Sequence, residues 1–369
     1  MLAHRVLSPI FALCCATAFL LCETATLRAE SPTVANPAAP IKTSLRGIFR
    51  TAVMKWLDSS GNRIKTKYGI ELDEKSLAAP AEKPLVIVIH GYNSCPQRMS
   101  VFSELVRAAG YPCGTFCYPN DQAIVNSAAL LSAELKKLAA RFPTRRIALL
   151  THSMGGLVAR ETIENPETNP GNVSQLVMIA PPSHGTTWAY VGYSSDLWEC
   201  TRGDRCFLDR VYGSFEDGTG EARYDLQPTS TFLKSLNDRP RNPSVHYSMF
   251  LGTGTKFSRA SMEHAHQVVD RCCETDRFLA IIKPALDCAM CDLEDAVDIG
   301  DGVVSVARGK LDGVDDTTLL GFDHWNVIRE PDSEAVRTLH GEILARLANT
   351  KQVASAQVAP APAETTASR

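Results

Sequence analysis

Strongly basic segments are absent from this sequence: no block of five or more lysines and arginines occurs along its 369 residues. The formal net charge is -3 and the pI is near 6.3. Binding to nucleic acid requires a concentrated positive surface, so we expect neither DNA nor RNA as a partner. Internal repeats are absent too, so the elements have to be found from the hydrophobic pattern alone.

The chain is also not unusually rich in charge: charged residues make up 21% of it and hydrophobic residues 44%. Both values are ordinary for globular proteins, so the composition excludes a wholly disordered or fibrous chain. The length is sufficient for one large catalytic domain with insertions or for two smaller domains. The sequence therefore predicts a folded body large enough to be an enzyme.

The start of the chain differs from the rest. A run without charge over residues 6–22 follows a short basic start and is followed by small residues. This pattern predicts a signal peptide over residues 1–29, cleaved after Ala25 or Ala29, and therefore export as a secreted or periplasmic protein. Retention of the run as an N-terminal membrane anchor is the alternative.

Of the 12 cysteines, three lie in the predicted leader and nine follow it. An exported chain can oxidise them, so we expect local disulfides, Cys200 with Cys206 and further pairing within 272–291, with one thiol left over. The alternative is a zinc site, because Cys288 and Cys291 have the C-x-x-C spacing. We expect disulfides rather than zinc, and no cofactor. For the Asp-rich stretch 292–301 we expect a solvated acidic loop, with a calcium site as the alternative.

Apolar strand-like runs alternate with helical ones between a linker at 30–45 and a disordered tail at 351–369. This alternation predicts an α/β fold in which helices cover both faces of a parallel sheet. The predicted strands are 85–90, 114–118, 147–151, 175–180 and 245–252, and the predicted helices are 97–109, 121–141, 154–164 and 333–348. Two long insertions, at about 183–243 and 255–299, interrupt the alternation and are expected to cover the site.

The segment from Thr151 to Gly156 reads T-H-S-M-G-G and lies between a predicted strand and a predicted helix. A serine on such a tight turn projects from the end of the sheet, beside a helix N-terminus that favours negative charge. Ser153 is therefore the candidate nucleophile. Thr151 departs from the G-x-S-x-G pattern, which has glycine first, and the alternative is that Ser153 only caps the helix.

A second apolar strand ends at His90-Gly91, upstream of the serine. A turn of this kind can direct a backbone amide at the reaction centre, so the expected oxyanion donors are the amides of Tyr92 and Met154. We interpret His90 as a buried residue that supports the loop through hydrogen bonds rather than as a proton carrier.

An acid and a base follow the serine in the chain order of a catalytic triad. Asp301 lies on a glycine-flanked turn before a short apolar run, and His324 lies in a loop before the last helix. We expect Asp301 to orient the ring of His324, and His324 to deprotonate Ser153. Other residues compete for these two roles: Asp295, Asp298, Asp323, His184, His246, His264, His266 and His340.

Together these segments resemble the lipase and esterase branch of the α/β-hydrolase superfamily, including PGAP-like and related bacterial alpha/beta-fold lipases. The matching segments occur in the family's order over about residues 83–350: His90-Gly91, 151–156, 180–186, 300–305 and 324–326. The resemblance implies an α/β-hydrolase domain over 46–350 with a central, mostly parallel sheet. It also implies a triad of Ser153, Asp301 and His324 and a lid after Thr186.

The first insertion opens with large apolar side chains. They predict a mobile lid with an apolar underside, in which Trp188, Tyr190 and Trp198 bind substrate; a static subdomain is the equal alternative. We expect a secreted serine hydrolase that cleaves lipid or other apolar carboxylic esters through an acyl-enzyme. Contact with a membrane or lipid surface fits this function, while acyl transfer and a non-catalytic binding protein are the alternatives.

Overall fold

The computed structural model describes residues 67–189, 220–255, 259–275, 283, 299–329 and 332–349. The predicted leader, the linker and the tail lie outside these residues, as do 190–219 and most of 276–298 from the two insertions. None of the described helices combines the length and the apolarity that a bilayer crossing requires.

The core of the protein is a seven-stranded sheet with the order β1-β3-β2-β4-β5-β6-β7. The strands are β1 (Gly69–Leu72), β2 (Leu85–Ile89), β3 (Cys113–Cys117), β4 (Ile147–His152), β5 (Val173–Ile179), β6 (His246–Gly252) and β7 (Thr317–Leu320). Only β1 pairs antiparallel, with β3, and every other pairing in this sheet is parallel. The carboxyl ends of β2, β4, β5 and β6 therefore meet along one edge.

Helices accompany the strands in sequence. The described α-helices are α1 (Ser100–Ala108), α2 (Ile124–Arg141), α3 (Met154–Glu164), α4 (Glu221–Asp225), α5 (Thr231–Asn237), α6 (Arg259–Thr275), α7 (Val306–Gly309) and α8 (Glu334–Ala348). Short 3-10 helices lie at Ser76–Ala78, Pro96–Met99 and Asn326–Ile328. In the first insertion the described part contains α4 and α5, and in the second it contains α6.

Alternate residues of β2 belong to two separate apolar layers. Leu85, Ile87 and Ile89 share one layer with residues of α2 and α3. Val86 and Val88 share the other with residues of α1 and α8. Burial on both faces is the reason why the central strands are continuous apolar runs rather than alternating ones. The predicted arrangement, with helices on both faces of a mostly parallel sheet, is confirmed.

Side chains fix where several helices begin. Helix α8 begins at Glu334 because the Ser333 hydroxyl accepts a hydrogen bond from the Val336 amide, at 3.4 Å. Helix α2 begins at Ile124, three residues later than predicted, because its first amide donates to the Asp225 carboxylate at 2.7 Å. This bond ties the first insertion to the body of the domain.

Two strands were not predicted. Both β1 and β7 have only four residues, and both lie at the edges of the sheet, where their residues are mostly half-buried. A short strand with one exposed side lacks the continuous apolar run that marks a central strand. The five predicted strands are all present, with ends that differ by no more than two residues.

Candidate active site

Ser153 is the single residue between β4 and α3. Its backbone has φ 53° and ψ -129°, a conformation that non-glycine residues rarely adopt. The turn is held by two backbone bonds: the Ser153 amide donates to Ile179 O at 2.9 Å, and the Gly156 amide donates to Ser153 O at 2.9 Å. Ser153 is therefore held in a strained backbone conformation. A residue that only caps a helix does not require such strain, and the Ser153 side chain forms no capping hydrogen bond.

Two small residues allow the turn to close. A Cβ at Gly155 would lie 2.5 Å from His90 O, and a Cβ at Gly91 would lie 2.8 Å from Ser153 Cβ. Any side chain at either position would separate the β2 loop from the serine. The branched Thr151, which departs from the glycine pattern, is accommodated because it is fully buried in β4 and its hydroxyl donates to Val177 O at 3.3 Å.

The structure brings together the three residues that the sequence predicted as a triad. His324 Nε2 lies 3.0 Å from Ser153 Oγ, and His324 Nδ1 lies 2.7 Å from Asp301 Oδ2. Asp301 is 1% exposed and His324 is 6% exposed, so both bonds are shielded from bulk water. Geometry of this kind lets one imidazole accept the serine proton while its other nitrogen is held by a carboxylate.

Asp301 is fixed by its own turn. Its Oδ1 accepts from the amides of Val303, at 2.9 Å, and Val304, at 2.7 Å, which leaves Oδ2 for His324. The short apolar run after Asp301, expected to be strand-like, is instead a turn closed by an isolated bridge between Gly300 and Ser305. The reason is that the two amides bond to a carboxylate rather than to a neighbouring strand.

Two further histidines, His152 and His90, are buried near the serine turn. His152 Nε2 donates to His324 O at 3.1 Å, and the two rings are 4.8 Å apart between centroids. Burial lowers the pKa of His152 well below its usual range, and burial lowers the pKa of His90 to about 4 against a weaker opposing bond to Gly91 O. Both rings are therefore neutral at physiological pH and add no positive charge beside His324.

His90 is buried and supports the loop. Its ring stacks on Tyr118 with centroids 4.4 Å apart, and the Tyr118 hydroxyl donates to His90 O at 2.7 Å. The chain turns directly afterwards, at Gly91, toward Tyr92 at the wall of the pocket. Met154, the other expected amide donor, is the first residue of α3, where a helix leaves its amides without an intrahelical partner.

A pocket of about 230 Å³ opens beside Ser153. Its walls include the apolar side chains of Pro182, Leu226 and Ile328. Trp188, predicted to bind substrate, also lines the pocket. Tyr190 and Trp198, predicted for the same role, lie outside the described residues.

Trp188 joins the pocket wall to the triad. Its indole nitrogen donates to Gly302 O at 2.8 Å, next to Asp301 in the chain. Its ring meets Trp325 edge to face with centroids 5.9 Å apart, and Trp325 in turn lies 6.0 Å from the His324 ring. One tryptophan therefore lies next to Asp301 and another lies next to His324.

The competing residues are engaged elsewhere. Asp323 Oδ1 accepts from the amides of Trp325, at 2.9 Å, and Asn326, at 2.7 Å. His340 packs against Phe102 on α1, with ring centroids 5.9 Å apart. The other histidines lie elsewhere: His246 is the first residue of β6, His264 and His266 are on α6, and His184 is beside α5. Asp295 and Asp298 lie outside the described residues.

Most of the predicted cysteine chemistry falls outside the described side chains; of the cysteines concerned, only the side chain of Cys273, which is buried on α6, is described. The prediction comprises the pairing of Cys200 with Cys206 and the disulfides or zinc site within 272–291. Cys95 and Cys113 are thiols, and burial raises the pKa of Cys113 to about 11, which makes it unreactive. No three metal-ligating side chains converge in the described ranges.

Sequence reasoning missed two site residues. Arg223 on α4 lines the pocket although it lies 70 positions beyond Ser153 in the chain.

 His152 supports the backbone of His324, as described above. No sequence pattern pointed to Arg223, because it lies on a five-residue helix inside an insertion.

Known proteins resemble parts of this chain. The family model of the PGAP1-like alpha/beta domain matches residues 122–201. The mature form of the lipase BlEst2 from Bacillus licheniformis is 16% identical, covers 77% of this chain and 99% of its own, and superposes with a TM-score of 0.51. Lipase 1 from Pelosinus fermentans is 13% identical, with coverages of 73% and 99% and a TM-score of 0.47. No curated protein matches the sequence.

These comparisons confirm the resemblance to the α/β-hydrolase superfamily. The mostly parallel seven-stranded sheet agrees with the fold of the lipase from Bacillus licheniformis. At this level of identity the similarity shows the fold, and the chemistry has to be argued from the site.

Proposed function

We propose that this protein, which has the α/β-hydrolase fold, is a serine hydrolase that cleaves carboxylic esters. The observation that carries the proposal is the continuous chain of contacts from Ser153 Oγ through His324 to Asp301, at 3.0 Å and 2.7 Å. A carboxylate, an imidazole and a hydroxyl in this order form the arrangement that activates serine in unrelated hydrolases.

The first half of the reaction forms an acyl-enzyme. Ser153 Oγ attacks the ester carbonyl carbon while its proton passes to His324 Nε2. The Asp301 carboxylate accepts a hydrogen bond from Nδ1–H, which holds the ring in the tautomer with a free Nε2 and stabilises the imidazolium. His324 then gives its proton to the departing alcohol oxygen as the carbon–oxygen bond breaks.

The second half repeats the chemistry with water. His324 removes a proton from a water molecule, whose oxygen attacks the acyl carbon, and returns that proton to Ser153 as the acid leaves. We assign the oxyanion to the amides of Met154 and Tyr92. Support comes from the start of α3 at Met154 and from Gly91, which brings the β2 loop into contact with the serine.

We propose lipid or other apolar acyl esters as substrates. The apolar pocket walls at Leu226, Ile328 and Trp188 support this choice. We further propose that residues after Thr186 act as a lid. We also propose that the protein is exported, because an uncharged run lies near the start of the sequence.

The test is labelling by a fluorophosphonate, combined with hydrolysis of p-nitrophenyl esters of increasing acyl length. We expect the wild type to be labelled and Ser153→Ala to be unlabelled, with kcat lower by about 10⁴-fold or more. Ser244→Ala, which removes an exposed hydroxyl far along the chain, is the matched control.

Labelling of Ser153→Ala at the wild-type rate would contradict the assignment of the nucleophile. A steep preference for acetyl esters of sugars over longer acyl chains would contradict the apolar substrate. Product analysis in the presence of an added alcohol separates hydrolysis from acyl transfer.

A further inference from the structure

We propose that the pocket binds esters that carry a negatively charged group, a carboxylate or a phosphate, close to the scissile bond. The proposal rests on the proposed function and deepens it by naming a substrate class. Its basis is that three arginines line the same pocket as Ser153: Arg98, Arg223 and Arg329.

Arg223 lies inside the pocket. It is 2% exposed, which is unusual for a residue that is permanently charged. Its guanidinium carbon is 5.3 Å from the centroid of the Tyr224 ring, so part of its surface rests on an aromatic face. A buried charge in the pocket that also contains Ser153 attracts an anion with less screening from water than a surface charge does.

Arg98 and Arg329 lie at the mouth of the pocket, where both are exposed. Neither forms an ion pair with a carboxylate in the described ranges, and Arg98 donates only to Asn93 O, at 3.3 Å. By contrast, Arg160 and Arg241 on the flank of α3 both pair with Glu164. Among the described residues, no carboxylate neutralises the positive charge of these two arginines.

The described lining of the pocket contains no aspartate or glutamate. This imbalance is local, because the whole chain carries a net charge of -3. The two neighbouring histidines are neutral as argued above, so the arginines supply the positive field. Because Arg223 and Ser153 line the same pocket of about 230 Å³, we place the anionic group on the same side of the substrate as the ester.

The apolar walls remain part of the same pocket. Pro182, Leu226 and Trp188 can contact an acyl chain, while the arginines contact the anion. A substrate with one apolar and one anionic part fits this division better than a wholly apolar ester does. Guanidinium groups bind both carboxylates and phosphates, so the side of the ester on which the anion lies is left to experiment.

Two matched substrate pairs test the proposal. The first compares the p-nitrophenyl monoester of glutaric acid with p-nitrophenyl pentanoate, which has the same chain length without the carboxylate. The second compares monolauroylglycerol phosphate with monolauroylglycerol. We expect kcat/KM to favour the anionic member of at least one pair, and that preference to decrease as salt is added.

Variants connect the preference to the arginines. Arg223→Met should lower the ratio of anionic to neutral kcat/KM by about 10-fold or more, and Arg223→Lys should lower it less. Arg98→Gln and Arg329→Gln should lower it several-fold and reduce its salt dependence; because both residues are exposed, these variants test the proposal even if Arg223→Met does not fold. Arg337→Gln, an exposed arginine on α8, is the control.

Equal or faster hydrolysis of the neutral member in both pairs would overturn the proposal, as would a ratio that Arg98→Gln and Arg329→Gln leave unchanged. In either case labelling of Ser153 and cleavage of neutral esters would persist. Failure of the proposed function is different, because then neither substrate of either pair is cleaved.

Discussion

Two buried polar regions of this protein follow opposite rules. On the flank of α3, Arg160 Nε lies 3.0 Å from Glu164 Oε1, and Glu164 Oε2 lies 3.2 Å from Arg241. At the carboxyl end of the sheet, His152 Nδ1 and His90 Nε2 are buried with no hydrogen-bond partner among the described residues. The charges of the flank are paired, whereas these two ring nitrogens at the sheet end have no partner; unsatisfied atoms also occur elsewhere, for example Asn172 Oδ1 and His340 Nε2.

Backbone strain follows the same division. The non-glycine residues with positive φ in the described ranges are Asn93, Ser153 and Ala180. Each follows one of the central strands β2, β4 and β5 at its carboxyl end. Unsatisfied groups and strain lower stability, and proteins retain them where function requires them. The strained residues therefore cluster at the sheet end, where we place the proposed active site, and we assign a stabilising role to the flank.

Asp301→Asn should have the largest effect and tests the functional side of the contrast. The amide oxygen can still accept from Val303 and Val304, while the amide nitrogen would face His324 Nδ1 and force the proton onto Nε2. A protonated Nε2 cannot accept from Ser153, so kcat should fall by about 10⁴-fold with little change in stability.

Steady-state kinetics and urea unfolding measure the two quantities. Asp238→Asn, at an exposed position after α5, is the control and should change neither. A loss of less than about 10-fold in kcat would mean that Asp301 does not orient His324, and it would contradict the placement of the active site at the sheet end.

Glu164→Gln should have the next largest effect and tests the stabilising side. Glu164 and Arg160 have fully buried side chains, so loss of the carboxylate leaves Arg160 and Arg241 without their counter-charge. Breaking a buried pair in this way costs about 3–5 kcal/mol of unfolding free energy. Activity per folded molecule should be retained, because no atom of the pair lies in the pocket.

The matched control is Glu74→Gln, which breaks the exposed pair between Glu74 and Arg141. Exposed pairs contribute little to stability, so the urea midpoint should hardly move. If Glu164→Gln instead lowered kcat while stability was unchanged, the flank would belong to the active site.

The sequence predicted the central sheet and the turn at Ser153 because both leave local signals. Five apolar runs marked the five inner strands, and T-H-S-M-G-G combined a strand end, a nucleophile and small residues within six positions. The positions of Asp301 and His324 followed from chain order and from glycine-flanked or loop contexts. Their contacts with each other could be seen only in the folded chain.

Features that depend on tertiary packing were not predicted. The edge strands β1 and β7 are too short and too exposed to give an apolar run. Arg223 gave no signal because the burial of a charged residue depends on its neighbours in space. His152 was recognised only as part of the serine motif, since its bond to His324 O spans 172 positions of sequence.

Asp225→Asn should have the smallest effect. It tests whether the junction between α4 and α2 is stabilised by a paired charge, as the flank of α3 is, or is destabilised by a buried one. Burial raises the pKa of Asp225 to about 6, against the opposing bond from the Ile124 amide, from an ordinary value of 3.8. The folded protein therefore favours the protonated carboxyl. Its stabilising contribution is complete below pH 3.8 and is lost as the pH rises through about 6.

Asparagine keeps an oxygen that can accept from the Ile124 amide but carries no charge to desolvate. We therefore expect Asp225→Asn to be more stable than the wild type at pH 8, by about 1 kcal/mol after allowance for partial exposure. The difference should shrink below pH 6 and vanish near pH 4, measured by urea unfolding across that range. Asp238→Asn should show no such pH dependence. A variant less stable than the wild type at pH 8 would mean that the ionised carboxylate stabilises the junction, which would place it with the paired charges of the flank.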